Sequence, residues 1–178
     1  MTRMGPDDVL SFWFTELSQA QWWENDPELD SEIRTRFDEV HTKATKGELY
    51  SWRANARGSL AEIIILDQFS RNMFRESPKA YAYDSLALCL AQNAILLGHD
   101  KKLSDNENVF LYMPYMHSES IAIHEDALEL FTALGKKDQL SYELQYFDII
   151  KRFGRFPHRN AILGITSTAE ELQLLNKR

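Results

Sequence analysis

The chain has 178 residues with a net charge of −7, and 44% of its residues are hydrophobic and 26% charged. This composition is that of a soluble globular protein and excludes a disordered or collagen-like chain, while the negative charge argues against broad nucleic-acid binding. With only 7 glycines and 5 prolines, the chain also lacks the frequent turns of a β-barrel or sandwich, so we expect helices.

Helix-start signals recur along the first half of the chain. Pro6 suits the first turn of one helix, and Asp26-Pro27 opens a second. Ser59 is expected to cap a third helix. Its apolar run 63–66 is β-branched, but the flanking residues lack strand character, so we predict a helix buried on most sides.

The second half carries the same signals. Ser77-Pro78 is expected to start a helix that runs through 80–97 without a breaker. Pro114 is expected to divide the following region into a short piece and a longer helix. Further helices are predicted over about 118–134, over 139–153, and after two overlapping capping-box patterns, Ser167-x-x-Glu170 and Thr168-x-x-Glu171.

No glycine- or serine-rich linker interrupts this series. The simplest architecture is therefore one all-α domain, residues 1–178, of seven or eight mostly antiparallel helices. A repeat stack is the other all-α option, although only faint echoes of a 34-residue repeat are visible. We predict a cytoplasmic protein with no membrane partner, on three grounds. The chain has a single cysteine, Cys89, it lacks a leader-like start, and it lacks a long apolar run.

The first polar cluster directly follows the buried apolar run. On a continuing helix, Asp67 and Arg71 are four residues apart and face each other, and Arg75 lies one turn further along. Asn72 adds an amide to the same segment. The pair of Asp67 and Arg71 is either part of a ligand site or an ion pair that locks two helices together.

The second cluster surrounds His117, with Glu119 two residues later. His117 is either a general acid or base, because histidine titrates near neutrality, or a core residue on an apolar stripe. His124 lies two helical turns away, too far for both rings to hold one metal ion.

The third cluster is the strongest, because no acidic residue occurs between positions 149 and 169 of an otherwise acidic chain. It contains Arg155, His158, Arg159 and Asn160. The guanidinium fork suits a carboxylate or phosphate, and the histidine and asparagine add donors. We expect Arg155, Arg159 and Asn160 to belong to a site rather than to a solvated loop.

Motifs for common cofactors are missing from the sequence. There is no glycine-rich phosphate loop, no G-x-G-x-x-G and no C-x-x-C, so neither a cofactor nor a metal is expected.

Four long phrases of the chain are distinctive, namely VLxFWF at 9–14, DQFxRNMFR at 67–75, FLYMPYMHSE at 110–119 and RFGRFPHRNAILG at 152–164. In these phrases the chain resembles a bacterial family known as domain of unknown function 924. The resemblance implies an all-helical fold related to tetratricopeptide-like stacks and implies no established activity. The chain departs from the family pattern at Ile165, where an arginine commonly follows the glycine, and this removes one possible anion contact.

Three functional hypotheses follow. In the first, the polar clusters converge on a pocket for a small anionic metabolite, bound by Asp67, Arg71, Asn72, Arg75, Arg155, Arg159 and Asn160. His117, His158 and Glu119 would be its acid–base groups if the protein is an enzyme, which the sequence leaves open. In the second, a helical adaptor holds an acidic peptide. In the third, the clusters form a purely structural polar core.

Overall fold

The structure is a computed structural model that describes residues 4–177, and all regular elements in this range are helical. The α-helices are α1 (Pro6–Ser11), α2 (Pro27–Thr45), α3 (Ala56–Ile64), α4 (Ser70–Met73), α5 (Asp84–Leu96), α6 (Asp105–Met116), α7 (Ile121–Leu134), α8 (Lys137–Phe153), α9 (Asn160–Leu163) and α10 (Ala169–Leu175). Short 3-10 turns cover Ala20–Trp22, Tyr50–Ala54, Pro78–Ala80, Asp100–Lys102 and Pro157–Arg159. The all-α prediction is confirmed.

Two π-helical segments extend α-helices without a break. One, Phe12–Glu16, follows α1, and the other, Ile65–Phe69, joins α3 to α4. The second carries Asp67. Single π-helical turns inside α-helices often occur at functional sites.

The core is built around two helices that are buried on nearly all sides. The run 63–66 at the end of α3 has no exposed surface, as predicted for this segment. Helix α6 is buried from Asn108 to Met116. Helix α7 packs on α6 and α8, and α3 packs on α1, α5 and α6.

Several predicted helix starts are confirmed. Pro6 and Pro27 each occupy a first-turn position, and the carboxylate of Asp26 accepts from the backbone N–H groups of Glu28 and Leu29. The hydroxyl of Thr168 accepts from the N–H of Glu171, which completes the predicted capping box. Helices α7 and α8 end at Gly135 and Gly154, both left-handed, a conformation that favours glycine.

The predicted start of the third helix was wrong by one turn. Asn55, not Ser59, caps α3, because Asn55 has an extended backbone and its side chain accepts from Gly58 N–H. Ser59 lies inside the helix, where its hydroxyl is 3.0 Å from His99 Nδ1.

The predicted break at Pro114 was also wrong. Helix α6 continues through Pro114 to Met116. Proline removes one backbone hydrogen bond, but Pro114 lies in the last turn of a helix that is buried from Asn108 to Met116. Because tertiary packing stabilises this helix, it ends two residues after the proline rather than at it. The α7 start is correspondingly later than predicted, at Ile121.

The segment after Ser77-Pro78 differs from the continuous helix predicted for it. A short 3-10 turn, Pro78–Ala80, is followed by a non-helical turn and then by α5 at Asp84. Ser77 caps the first piece through the N–H of Lys79. The interruption separates Tyr81 from the helix, and both Tyr81 and Asp84 contact the arginines described below.

Candidate functional site

The three polar clusters meet around Asp67. This carboxylate is fully buried, and its Oδ1 accepts from Arg71 Nη1 at 2.9 Å and lies 2.8 Å from Nδ1 of His117. Arg71 is one helical turn from Asp67, as predicted, whereas His117 comes from the end of α6. Arg159, from the 3-10 turn before α9, donates from Nη2 to the backbone oxygen of His117 at 2.9 Å.

A second carboxylate, Asp84, joins the arginines of this cluster. Its two oxygens accept from Nη1 and Nη2 of Arg71 at 2.8 and 2.9 Å. Its Oδ2 also lies 3.4 Å from Nη1 of Arg159. Arg71 therefore bridges two carboxylates, and burying all these charges together is tolerable because each one is paired.

Aromatic rings hold the guanidinium of Arg159. Its Cζ lies 4.4 Å from the ring centre of Tyr81 and 4.7 Å from that of Phe156. The residue is almost fully buried, and its Nε has no hydrogen-bond partner within residues 4–177. Arg159 is thus fixed by stacking and ion pairing, with one donor left unused.

The site perturbs the pKa values of its charged groups. Burial lowers the pKa of Arg159, and repulsion from Arg71 lowers it further. Burial opposes the charge of Arg71 too, but Asp67 and Asp84 outweigh this effect and raise its pKa. Burial raises the pKa of the Asp67 carboxyl, yet the neighbouring His117 and Arg71 more than compensate, so that pKa is lowered.

The tautomer of His117 follows from its partner. Burial, and next the positive charge of Arg71, lower the pKa of His117, and both effects favour the neutral ring. An ionised carboxylate only accepts, which places the ring proton on Nδ1, facing Asp67. The opposite nitrogen, Nε2, keeps its lone pair and makes no hydrogen bond with any described residue.

His117 and Arg159 lie in the wall of a cavity of about 560 Å³. Arg71, Asn72, Arg75 and His158 also line it, together with the residues Trp22, Trp23, Glu24, Asn25, Gln68, Glu76, Ala80, Tyr81, Met113, Met116, Gln139, Tyr142, Tyr146, Phe156 and Ile162. Asp30, Asp67 and Asp84, which pair with these arginines, do not line the cavity, whereas Glu24 and Glu76 do.

Arg75 and Asn72 are anchored by Asp30 of α2. Arg75 donates from Nε and Nη2 to the two oxygens of Asp30 at 2.6 and 2.8 Å, and Asn72 donates from Nδ2 at 2.8 Å. This arrangement leaves Nη1 of Arg75 unused at the cavity. Similarly, the Nε–H of Arg71 makes no hydrogen bond within the described part of the chain.

Three of the predicted site residues lie away from this cavity. Arg155 donates from Nε and Nη2 to the oxygens of Glu171 at 2.7 and 2.9 Å, and Asn160 donates to the same carboxylate at 3.1 Å. Hydrogen bonds from Arg155 and from the backbone of Thr168 lower the pKa of Glu171 to about 2. The carboxylate of Glu119 accepts from the backbone N–H of Phe156 at 2.8 Å. Arg155 thus attaches α10 to the loop before α9, Asn160 attaches α10 to the first residue of α9, and Glu119 fixes the start of that loop.

The described residues contain no group of three or more histidine, cysteine, aspartate or glutamate side chains placed to hold a metal ion. Among the same residues, no helix is both long enough and apolar enough to cross a membrane.

Comparison with known proteins identifies the family. A family model described as "Bacterial protein of unknown function (DUF924)" matches residues 9–178. The chain belongs to the DUF924 family. The resemblance inferred from the four sequence phrases is therefore confirmed.

The DUF924 chain is also similar to a solved structure. The match is to a protein of unknown function from Agrobacterium tumefaciens, with 39% sequence identity, a TM-score of 0.93 and coverage of 97% of each chain. No curated protein matches the chain significantly. The all-helical fold is thus shared with this protein, whereas the tetratricopeptide-like character of the stack stays a prediction.

Sequence reasoning missed three contributors to the DUF924 site: Asp30, Tyr81 and Asp84. The two aspartates lie in the first turns of helices, where helix electrostatics alone favours an acidic residue. Their positions in the sequence therefore do not indicate a role in a site. Tyr81 lies in the interruption that the sequence did not predict. Arg71 and Arg75 have only one carboxylate near them in the sequence. This shortage of acidic partners was the signal that could have pointed to the two aspartates.

Proposed function

We propose that the cavity binds a small anionic metabolite and that His117 exchanges a proton with it. The observation that carries this proposal is the Nδ1 contact of His117 with buried Asp67, because it leaves Nε2 without a hydrogen bond to any described residue, on a side chain that lines a cavity together with three arginines. A neutral imidazole held by a carboxylate is suited to general base chemistry.

Unused donors support an anion as the ligand. Arg71 retains its Nε–H and Arg75 retains Nη1, and both side chains line the cavity. The mutual repulsion of Arg71 and Arg159, which lowers the pKa of Arg159, would be relieved by a bound negative charge. Glu24 and Glu76 also line the cavity, but both are exposed side chains.

The geometry gives less support to an acidic-peptide adaptor. An acidic peptide would need available guanidinium groups, and the fork of Arg155 already binds Glu171. A purely structural role for the Asp67 network remains the competing account. The two accounts differ in whether an anion stabilises the folded chain.

A thermal-shift panel of inorganic phosphate, citrate and succinate tests the proposal with a matched pair of variants. The ion pairs of Arg75 and Arg155 use the same two nitrogens on one carboxylate, and the two side chains are 35% and 32% exposed, but only Arg75 lines the cavity. At an anion concentration 100-fold above its Kd, we expect the wild-type Tm to rise by about 5 to 10 °C. Arg75→Gln should lose most of this rise, and Arg155→Gln should keep it.

The comparison of ligand-induced shifts removes two complications. Each variant leaves one carboxylate without its arginine, so both lose baseline stability for the same reason. General salt effects of phosphate or citrate on the folded state act on both variants equally. The proposal is wrong if no anion in the panel raises the Tm, or if the two variants respond alike.

A further inference from the structure

Aromatic side chains line the cavity together with the arginines. Trp23, Tyr142, Tyr146 and Phe156 all line it. Trp23 is 52% exposed and Tyr142 is 55% exposed, whereas Phe156 is buried. The two exposed rings therefore lie at the mouth of the cavity, whereas Arg71, His117 and Arg159 are more buried.

The ring of Trp23 is held in a fixed orientation. It stacks on Phe110 with ring centres 5.6 Å apart and an angle of 15°, and the edge of Trp22 packs against it at 6.3 Å. Since one face is covered by Phe110 and about half of the residue is exposed, the opposite face is available. A large apolar ring held open to water beside a polar cavity is a feature of ligand sites.

From this arrangement we infer that the ligand is an anion that carries a planar ring. The anionic group would lie against Arg71 and Arg75, and the ring would lie against Trp23 and Tyr142 at the mouth. The cavity volume of about 560 Å³ is within the range that encloses such a molecule. This inference rests on the proposed function and adds the substrate class.

Pairs of anions that differ only in the ring provide the test. Phenyl phosphate is compared with methyl phosphate, and phenylacetate with acetate, so that the two pairs distinguish a phosphate from a carboxylate head group. Affinities are measured by calorimetry, and quenching of tryptophan fluorescence reports contact with Trp22 or Trp23. We expect the ring to increase affinity about tenfold in at least one pair, the size of a good stacking contact.

Two exposed tyrosines serve as the variant and its control. Tyr142 lines the cavity, whereas Tyr50 is 71% exposed and does not. Tyr142→Ala should lose most of the gain that the ring provides, and Tyr50→Ala should keep it. Trp23→Leu provides a second variant with the same expected loss, and neither change removes a buried polar contact.

The outcomes separate the inference from the proposed function. If both members of each pair bind equally and Arg75→Gln weakens them equally, the anion site stands and the inference of a ring is wrong. The inference is also wrong if the ring increases affinity but both Tyr142→Ala and Trp23→Leu retain the increase. Absence of binding by all four anions overturns this inference, and it overturns the proposed function as well if phosphate, citrate and succinate give no thermal shift.

Discussion

Replacing Asp67 with alanine should lower the free energy of unfolding by about 3 kcal/mol or more. The substitution leaves the Nδ1–H of His117 without its acceptor and leaves the buried guanidinium of Arg71 with Asp84 alone. The cost is that of an incompletely compensated buried charge and an unsatisfied buried donor. Chemical denaturation of the wild type and Asp67→Ala measures the difference.

An exposed ion pair provides the control for this variant. Asp7 lies 3.0 Å from Arg57, with side chains that are 85% and 56% exposed. Asp7→Ala should cost no more than about 1 kcal/mol, because solvent already screens that pair. A loss at Asp67 as small as the loss at Asp7 would show that Asp67 does not hold the site together.

Replacing Gly58 with alanine should destabilise the protein by a comparable amount, at least about 3 kcal/mol. A Cβ at this position would lie 1.9 Å from the backbone oxygen of Trp52 and 2.7 Å from its carbonyl carbon. Because these are backbone atoms, the 3-10 turn Tyr50–Ala54 would have to move away from α3. Helix α3 leads directly into the π-helical turn of Asp67, so the movement would also reach the candidate site.

Gly5→Ala is the corresponding control. The nearest atom to a Cβ at Gly5 is Oδ2 of Asp8 at 3.8 Å, an ordinary contact. Its cost should stay below about 1 kcal/mol, the size of a less favourable helix cap. Unfolding curves for the two variants would contradict this explanation if Gly58→Ala were as stable as Gly5→Ala.

Local chemistry was sufficient to predict the all-helical class, several helix ends and one ion pair of the site. First-turn prolines at Pro6 and Pro27 act through fixed backbone geometry, so their positions are readable from neighbouring residues alone. The pairing of Asp67 with Arg71 follows from a spacing of four residues on one helix, and the structure confirms it at 2.9 Å.

The remainder of the site depends on tertiary packing. Asp84 reaches Arg71 because the helix predicted to follow Ser77-Pro78 is interrupted, and Asp30 reaches Arg75 from a helix 45 residues away. Arg155 and Arg159 are four residues apart in an equally basic segment, yet one binds Glu171 and the other lines the cavity. Charge composition alone does not separate them, because the distinction depends on how α10 packs.

The proposed proton exchange with a bound anion depends on the protonation state of His117. This state is measured by ¹⁵N NMR of the imidazole nitrogens, assigned with His117→Gln. Without ligand at pH 7, we expect a neutral ring with its proton on Nδ1, because burial holds the pKa of His117 below its usual value of about 6.5. Adding the anion that gives the largest thermal shift should raise this pKa, since a nearby negative charge favours the imidazolium. A ring already charged at pH 7, or a titration that the anion leaves unchanged, would contradict the account.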